Sequence, residues 1–167
     1  MTSFQITELK NFMGKLLGTD CFDSFLLAGA QVITAVEYTI DGHIHPDFYT
    51  REEREDPSVC PYEFVPWADM RPVLFQMIRG RRSPSRFRLM LHLRPDYVPG
   101  VLKGADPSLT PEQVKALVVT VRYEDGKASL ITGTAFHSFV LDKTLDACWD
   151  RAMRQFLTSK QIAYTEC

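Results

Sequence analysis

In the stretch TIDGHIHPDFY, residues 39–49, two histidines and an aspartate alternate as His43, His45 and Asp47. Imidazole nitrogens and carboxylate oxygens are the donors that a divalent ion such as zinc takes. On an extended strand, residues i and i+2 share a face about 6.5 to 7 Å apart, so His43 and His45 can reach one ion. Asp47 lies roughly 13 Å from His43 along an ideal strand and joins them only if Pro46 turns the chain back. With a third ligand from elsewhere, the pair would serve a metal-dependent hydrolytic enzyme, which is the alternative reading of this chain. The simpler reading has both rings packed beside Tyr38 and Ile40 at the end of a hairpin.

A second group is basic. The stretch RGRRSPSRFRLMLHLR, residues 79–94, holds Arg79, Arg81, Arg82, Arg86, Arg88 and Arg94. Guanidinium forks match the oxygen geometry of phosphate and carboxylate, so these six are candidate anion-binding residues. Modules that bind single-stranded nucleic acid add exposed aromatics for base stacking. Here Phe87 alternates with the arginines and points the other way, which disfavours nucleic acid. The acidic run that precedes the arginines offers a structural use for them, as partners within one chain or across a dimer.

Nucleophilic catalysis finds little to build on. His137 and Ser138 are neighbours on an extended run and point to opposite faces. Cys148 falls on the apolar stripe of a helix, where burial makes a thiol inert. No phosphate loop, nucleophile elbow or zinc-protease motif is present.

The elements that must position these groups can be read from periodicity. Leu9, Phe12, Met13, Leu16 and Leu17 share one helical face, with Thr7 as cap and Gly18 as stop. The run SFLLAGAQVITAVEYTI reads as extended strand, interrupted near Gly29, with Val32, Val36, Tyr38 and Ile40 on one side. Asp41-Gly42 then predicts a two-residue hairpin, placing Ile40 against His43 and Tyr38 against His45. Residues 50–65 carry charge and two prolines and read as a surface excursion.

DMRPVLFQMIRG predicts a helix capped by Asp69 and stopped at Gly80, and RFRLMLHLR predicts a strand with one dry and one basic side. DPSLTPEQVKAL carries a helix-start pattern at Thr110 and Pro111. LVVTVRYEDGKASLITGTAF reads as a hairpin turning at Asp125-Gly126. DKTLDACWDRAMRQFLTSK puts Leu145, Cys148, Trp149, Ala152, Met153, Phe156 and Leu157 on one docking stripe.

At 167 residues, 45% hydrophobic and 24% charged, the chain suits one globular domain spanning residues 1–167. The expected fold is α+β: a mainly antiparallel sheet of about five strands built on two Asp-Gly hairpins, with the N- and C-terminal helices on one face. The first 18 residues lack the features of a signal peptide, no run suits a membrane span, and the four cysteines form no framework. These features predict a cytoplasmic protein. The net charge of −2 hides a segregation: residues 41–69 hold eight acids against two bases, and residues 70–103 hold eight bases against Asp96.

The stretches ITELKNFMGKLL, YTIDGHIHPDFY, IRGRRSP, VRYEDGKASLITGT and LDKTLDACWD together resemble a family of small bacterial proteins catalogued only as a domain of unknown function. That resemblance covers nearly the whole chain and implies no activity, ligand or catalytic residue. The residues themselves point to a non-enzymatic binding or interaction protein. Its expected partner is a protein or a phosphate- or carboxylate-bearing ligand.

Overall fold

The computed structural model describes residues 1–105, 107–140 and 143–167. In chain order the elements are β1 (Ser3–Ile6), α1 (Leu9–Gly18), β2 (Phe25–Ile33), β3 (Glu37–Asp41), α2 (Arg51–Glu55), β4 (Val65–Pro66) and α3 (Trp67–Ile78). There follow β5 (Arg86–Leu93), α4 (Val98–Leu102), β6 (Val114–Glu124), β7 (Lys127–Phe136), α5 (Thr144–Ser159) and β8 (Tyr164–Glu166). The fold is α+β: one sheet of eight antiparallel strands in the order β3-β2-β5-β6-β7-β1-β8, with β4 paired to β2. No helix among the described residues is long and apolar enough to cross a membrane.

Eight strands replace the expected five. β1, β4 and β8 span only two to four residues each, too short for a periodic pattern, and their strand geometry comes from neighbours. The long apolar run at 24–40 is two strands, since Thr34 N–H donates to Val36 O at 2.9 Å and β3 folds back on β2 with Ile40 against Ala30. Asp41-Gly42 is therefore no hairpin turn, and neither Ile40–His43 nor Tyr38–His45 is a cross-strand pair. β6 and β7 do meet at Asp125 and Gly126, whose φ angles of 53° and 73° supply the left-handed pair a tight turn needs.

β2 carries a bulge between Leu27 and Gly29. The extra residue reverses the alternation, so Phe25 and Leu27 before it and Ala30 and Val32 after it all reach the core. The Ala28 carbonyl accepts from Gly42 N–H at 3.0 Å, and a Cβ at Gly42 would lie 1.8 Å from the Leu27 carbonyl oxygen. Only glycine lets the two backbones approach this closely.

One face of the sheet is dry. Phe87, Leu89 and Leu91 of β5, Leu117, Val119 and Val121 of β6, and Phe4 of β1 are buried there. α1, α3 and α5 cover it: Phe12 meets Phe22, Phe22 meets Phe156, and Phe25 meets Phe156 and Trp149, with centroids 5.2 to 6.4 Å apart. Offset and edge-on rings at such distances add to the burial they bring. Trp67 Nε1 donates to Leu16 O and Trp149 Nε1 to Val118 O, so both buried indoles keep a partner. The other face presents Arg86, Arg88, Met90, Arg122 and Glu124 as exposed side chains.

Three helix details differ from the periodicity. α1 starts without a side-chain cap, and Thr7 N–H instead donates to Ala163 O. α3 begins three residues early, with Pro66 at the cap position, leaving Asp69 in its first turn, where a carboxylate still suits the dipole. The helix expected from Thr110 is a single 3-10 turn, Pro111–Gln113, because Val114 onward alternates as β6. Asp106, four residues ahead of Thr110, and Leu141 and Asp142, ahead of α5, lie outside the described residues.

Candidate functional site

A cavity of about 640 Å³ opens on the helical side where β2 starts and β5 ends. Its size falls within the range of small-molecule sites. Its walls are local consequences of four segments. The chain leaving α1 is tied down by short-range bonds: Thr19 Oγ1 donates to Lys15 O, Cys21 N–H to Thr19 Oγ1, and Asp23 N–H to Asp20 O. Arg71 of α3 clamps the same segment, donating to Thr19 O at 2.6 Å and pairing with the Asp23 carboxylate. Asp20, Cys21 and Asp23 therefore form a fixed rim.

β5 delivers Leu93 and Arg94, held in place by Arg94 N–H donating to Ser24 O at 3.0 Å. α5 delivers Trp149, Met153 and Phe156 as a floor. On its apolar stripe, Leu145, Cys148, Trp149, Met153 and Leu157 are buried, while Ala152 and Phe156 are only half-buried, because they face the cavity. The site is apolar and aromatic, with charge at its edge.

That charge is unevenly paired. Asp23 is taken by Arg71. Arg94 and Lys160 have no carboxylate partner among the described residues. The Arg94 guanidinium lies 5.5 Å from the Tyr62 ring centroid, and its buried Nε has no hydrogen-bond acceptor. Tyr62 donates its hydroxyl to Asp96 at 2.7 Å, a bond that also holds the phenol pKa above its ordinary value. Lys160 Nζ sits 6.0 Å from the Phe156 centroid. Cations stacked on rings keep their donors free for an anion.

The six arginines singled out by the sequence occupy three places. Arg79 ends α3 with its guanidinium 5.6 Å from the Phe75 ring, and Arg81 and Arg82 are exposed in the following loop. Arg86 and Arg88 lie on the open face of the sheet, Arg86 at 3.9 Å from Glu124. Arg94 alone reaches the cavity.

The histidines separate too. β3 ends at Asp41, His43 forms an isolated bridge with Phe64, and His45 precedes a 3-10 turn, Pro46–Phe48, that contains Asp47. His43 Nδ1 lies 2.6 Å from Asp41 Oδ1, and the bonds from His43 hold the Asp41 carboxyl below its usual range. Its ring packs 4.5 Å from Phe64, which in turn packs 4.9 Å from His92. The histidine that shares the His43 neighbourhood is thus His92, forty-nine residues on. Burial pushes the His92 pKa down, partly offset by Glu63. Among the described residues no group of three or more His, Cys, Asp and Glu side chains is placed to hold a metal ion.

Sequence reasoning missed the cavity, because its walls come from stretches far apart in the chain. Its available signal was weak: a charged residue, Arg94, directly following a strand whose dry face ends at Leu93.

No curated protein matches this chain. No solved structure matches it either. Residues 15–165 match the model of a family described as a family of unknown function, DUF5721. With that match running through 151 of the 167 residues, the chain belongs to the DUF5721 family.

Proposed function

We propose that this chain is a binding protein for a small organic acid, held in the cavity between α5, the end of β5 and the rim after α1. The carboxylate or phosphate of the ligand meets Arg94 and Lys160, and an apolar or aromatic body lies on Phe25, Trp149 and Phe156. The observation that supports this reading is Arg94. Its guanidinium lines an apolar cavity with no carboxylate partner among the described residues, and its fork of donors suits an anion. Half-buried Ala152 and Phe156 keep the floor open for an apolar body.

The test uses 8-anilinonaphthalene-1-sulfonate, an aromatic anion of suitable size, titrated into the folded protein and followed by its fluorescence. Saturable binding at one site is expected, weakened about tenfold in Arg94→Gln, the order of one lost charge-assisted hydrogen bond. Filling the floor with Ala152→Phe should abolish binding while the thermal melt stays cooperative. Absence of saturable binding, or binding indifferent to both substitutions, would sink the proposal.

A further inference from the structure

The open face of the sheet is divided by charge along the direction of β5. At the start of that strand, Arg86 and Arg88 project from it, and Arg122 of β6 stands directly opposite Arg88. Glu124 lies 3.9 Å from Arg86 and Glu37 is engaged by Gln31, so Arg88 and Arg122 are left without a carboxylate in range among the described residues. At the other end, His92 sits under Phe64, which with His43 closes the excursion formed by residues 44–63. Arg86 and His92 are six residues apart on one face, about 20 Å.

The excursion is acidic, and its one helix is structurally idle within its own chain. α2 buries no residue. Its carboxylates are used locally or left in solvent: Glu53 completes a reciprocal cap with Thr50, Glu55 pairs with Arg51, and Asp56 accepts from Ser58. None of them pairs with the β5 arginines. Beside them Phe48 is 85% exposed, and midway along the sheet face Met90 is 36% exposed. A one-turn helix has too little internal cooperativity to stand by propensity alone.

A face that is basic at one end and acidic at the other complements itself after a two-fold rotation. We propose that two copies of this chain pair through their open sheet faces, the acidic excursion of each lying over the Arg88–Arg122 pair of the other. The two-fold axis passes near Met90, and Phe48 of each copy is covered by the other. The second copy is the occupant because the acidic segment that the arginines call for is present in the same sequence, exposed, and unable to reach them within one chain. This pairing leaves the cavity on the helical side free and does not depend on what that cavity binds.

Charge reversal with rescue tests it, read as molecular mass by sedimentation equilibrium at low and high salt. Wild-type protein is expected to be a dimer that loosens as salt rises. Arg88→Glu with Arg122→Glu, and separately Glu52→Lys with Glu55→Lys, should each weaken association about tenfold or more, since like charges then meet at both contacts. An equimolar mixture of the two variants should recover the dimer, because both contacts are again complementary. All four positions are exposed, and cooperative circular dichroism melts would establish that the variants fold. A monomer at both salts, a dimer that ignores the reversals, or a mixture that fails to recover would each overturn the pairing. A monomer that binds polyglutamate through Arg88 and Arg122 would assign the face to a foreign acidic partner instead.

Discussion

Arg88 and Arg122 stand directly opposite one another across β5 and β6, a like-charge pair in register on the open face of the sheet. Directly opposed like charges destabilise a sheet by a few tenths to about 1 kcal/mol. Arg122→Gln is therefore expected to raise the urea midpoint at low salt when the protein is dilute enough to be monomeric. The gain should shrink at high salt, where screening already relieves the repulsion. A gain that persists unchanged in salt would mean that the effect is not electrostatic.

The backbone approach at Gly42 makes a contrasting pair with Gly14. A Cβ at Gly42 would collide with the Leu27 carbonyl at 1.8 Å, whereas one at Gly14, exposed on α1, meets nothing within 4 Å. Gly42→Ala should cost about 2–3 kcal/mol by forcing β3 away from the bulge, and Gly14→Ala should add about 0.5–1 kcal/mol by favouring helix. Chemical denaturation of both variants checks the signs together.

His92 gives the fold a dependence on acid. Burial holds its folded-state pKa below the ordinary 6.5, with Glu63 opposing and His43 and Lys115 adding to the depression. On acidification the unfolded chain takes up this proton first. The contribution of neutral His92 is complete above about pH 6.5 and is lost as pH falls through the depressed folded value. Unfolding free energies at pH 7.5 and 5.5, read in wild type and His92→Gln, should show a smaller loss in the variant.

Arg71 carries the rim of the cavity through its contacts to Asp23 and Thr19 O. Both side chains are largely buried, at 21% and 30% exposure, so truncating one leaves the other poorly solvated. Arg71→Ala is expected to cost about 1–3 kcal/mol, and Asp23→Asn in the same background should cost little more. Full additivity of the two changes would show that they do not act as a pair.

Much of this architecture was legible where a single periodicity governs a whole element. Residues 86–93 alternate arginine, methionine and histidine with phenylalanine and leucine, and the strand buries Phe87, Leu89 and Leu91 as that alternation demands. The stripe on α5 was equally plain. Asp41-Gly42 misled because its dipeptide is a local signal, whereas β3 was already paired upstream through Thr34–Val36, and Gly42 serves a close backbone crossing. β1 and β8 hold only seven residues between them: β1 is held by β7, more than a hundred residues from Phe4, and β8, at the edge, by β1. The candidate site was hidden for the same reason: Cys21, Arg94 and Trp149 share no local pattern, and only the crossing of β2, β5 and α5 gathers them.

The two indoles divide the molecule optically. Trp67 is fully buried, bonded to the main chain of α1 and away from the cavity, while Trp149 forms the cavity wall with its ring edge bonded to Val118 O at 2.9 Å. In Trp67→Phe the only remaining indole is the one an arriving ligand would touch. A shift of its emission on occupancy, absent when Ala152→Phe fills the floor, would let the protein report its own ligand, with no label, from a library of organic acids.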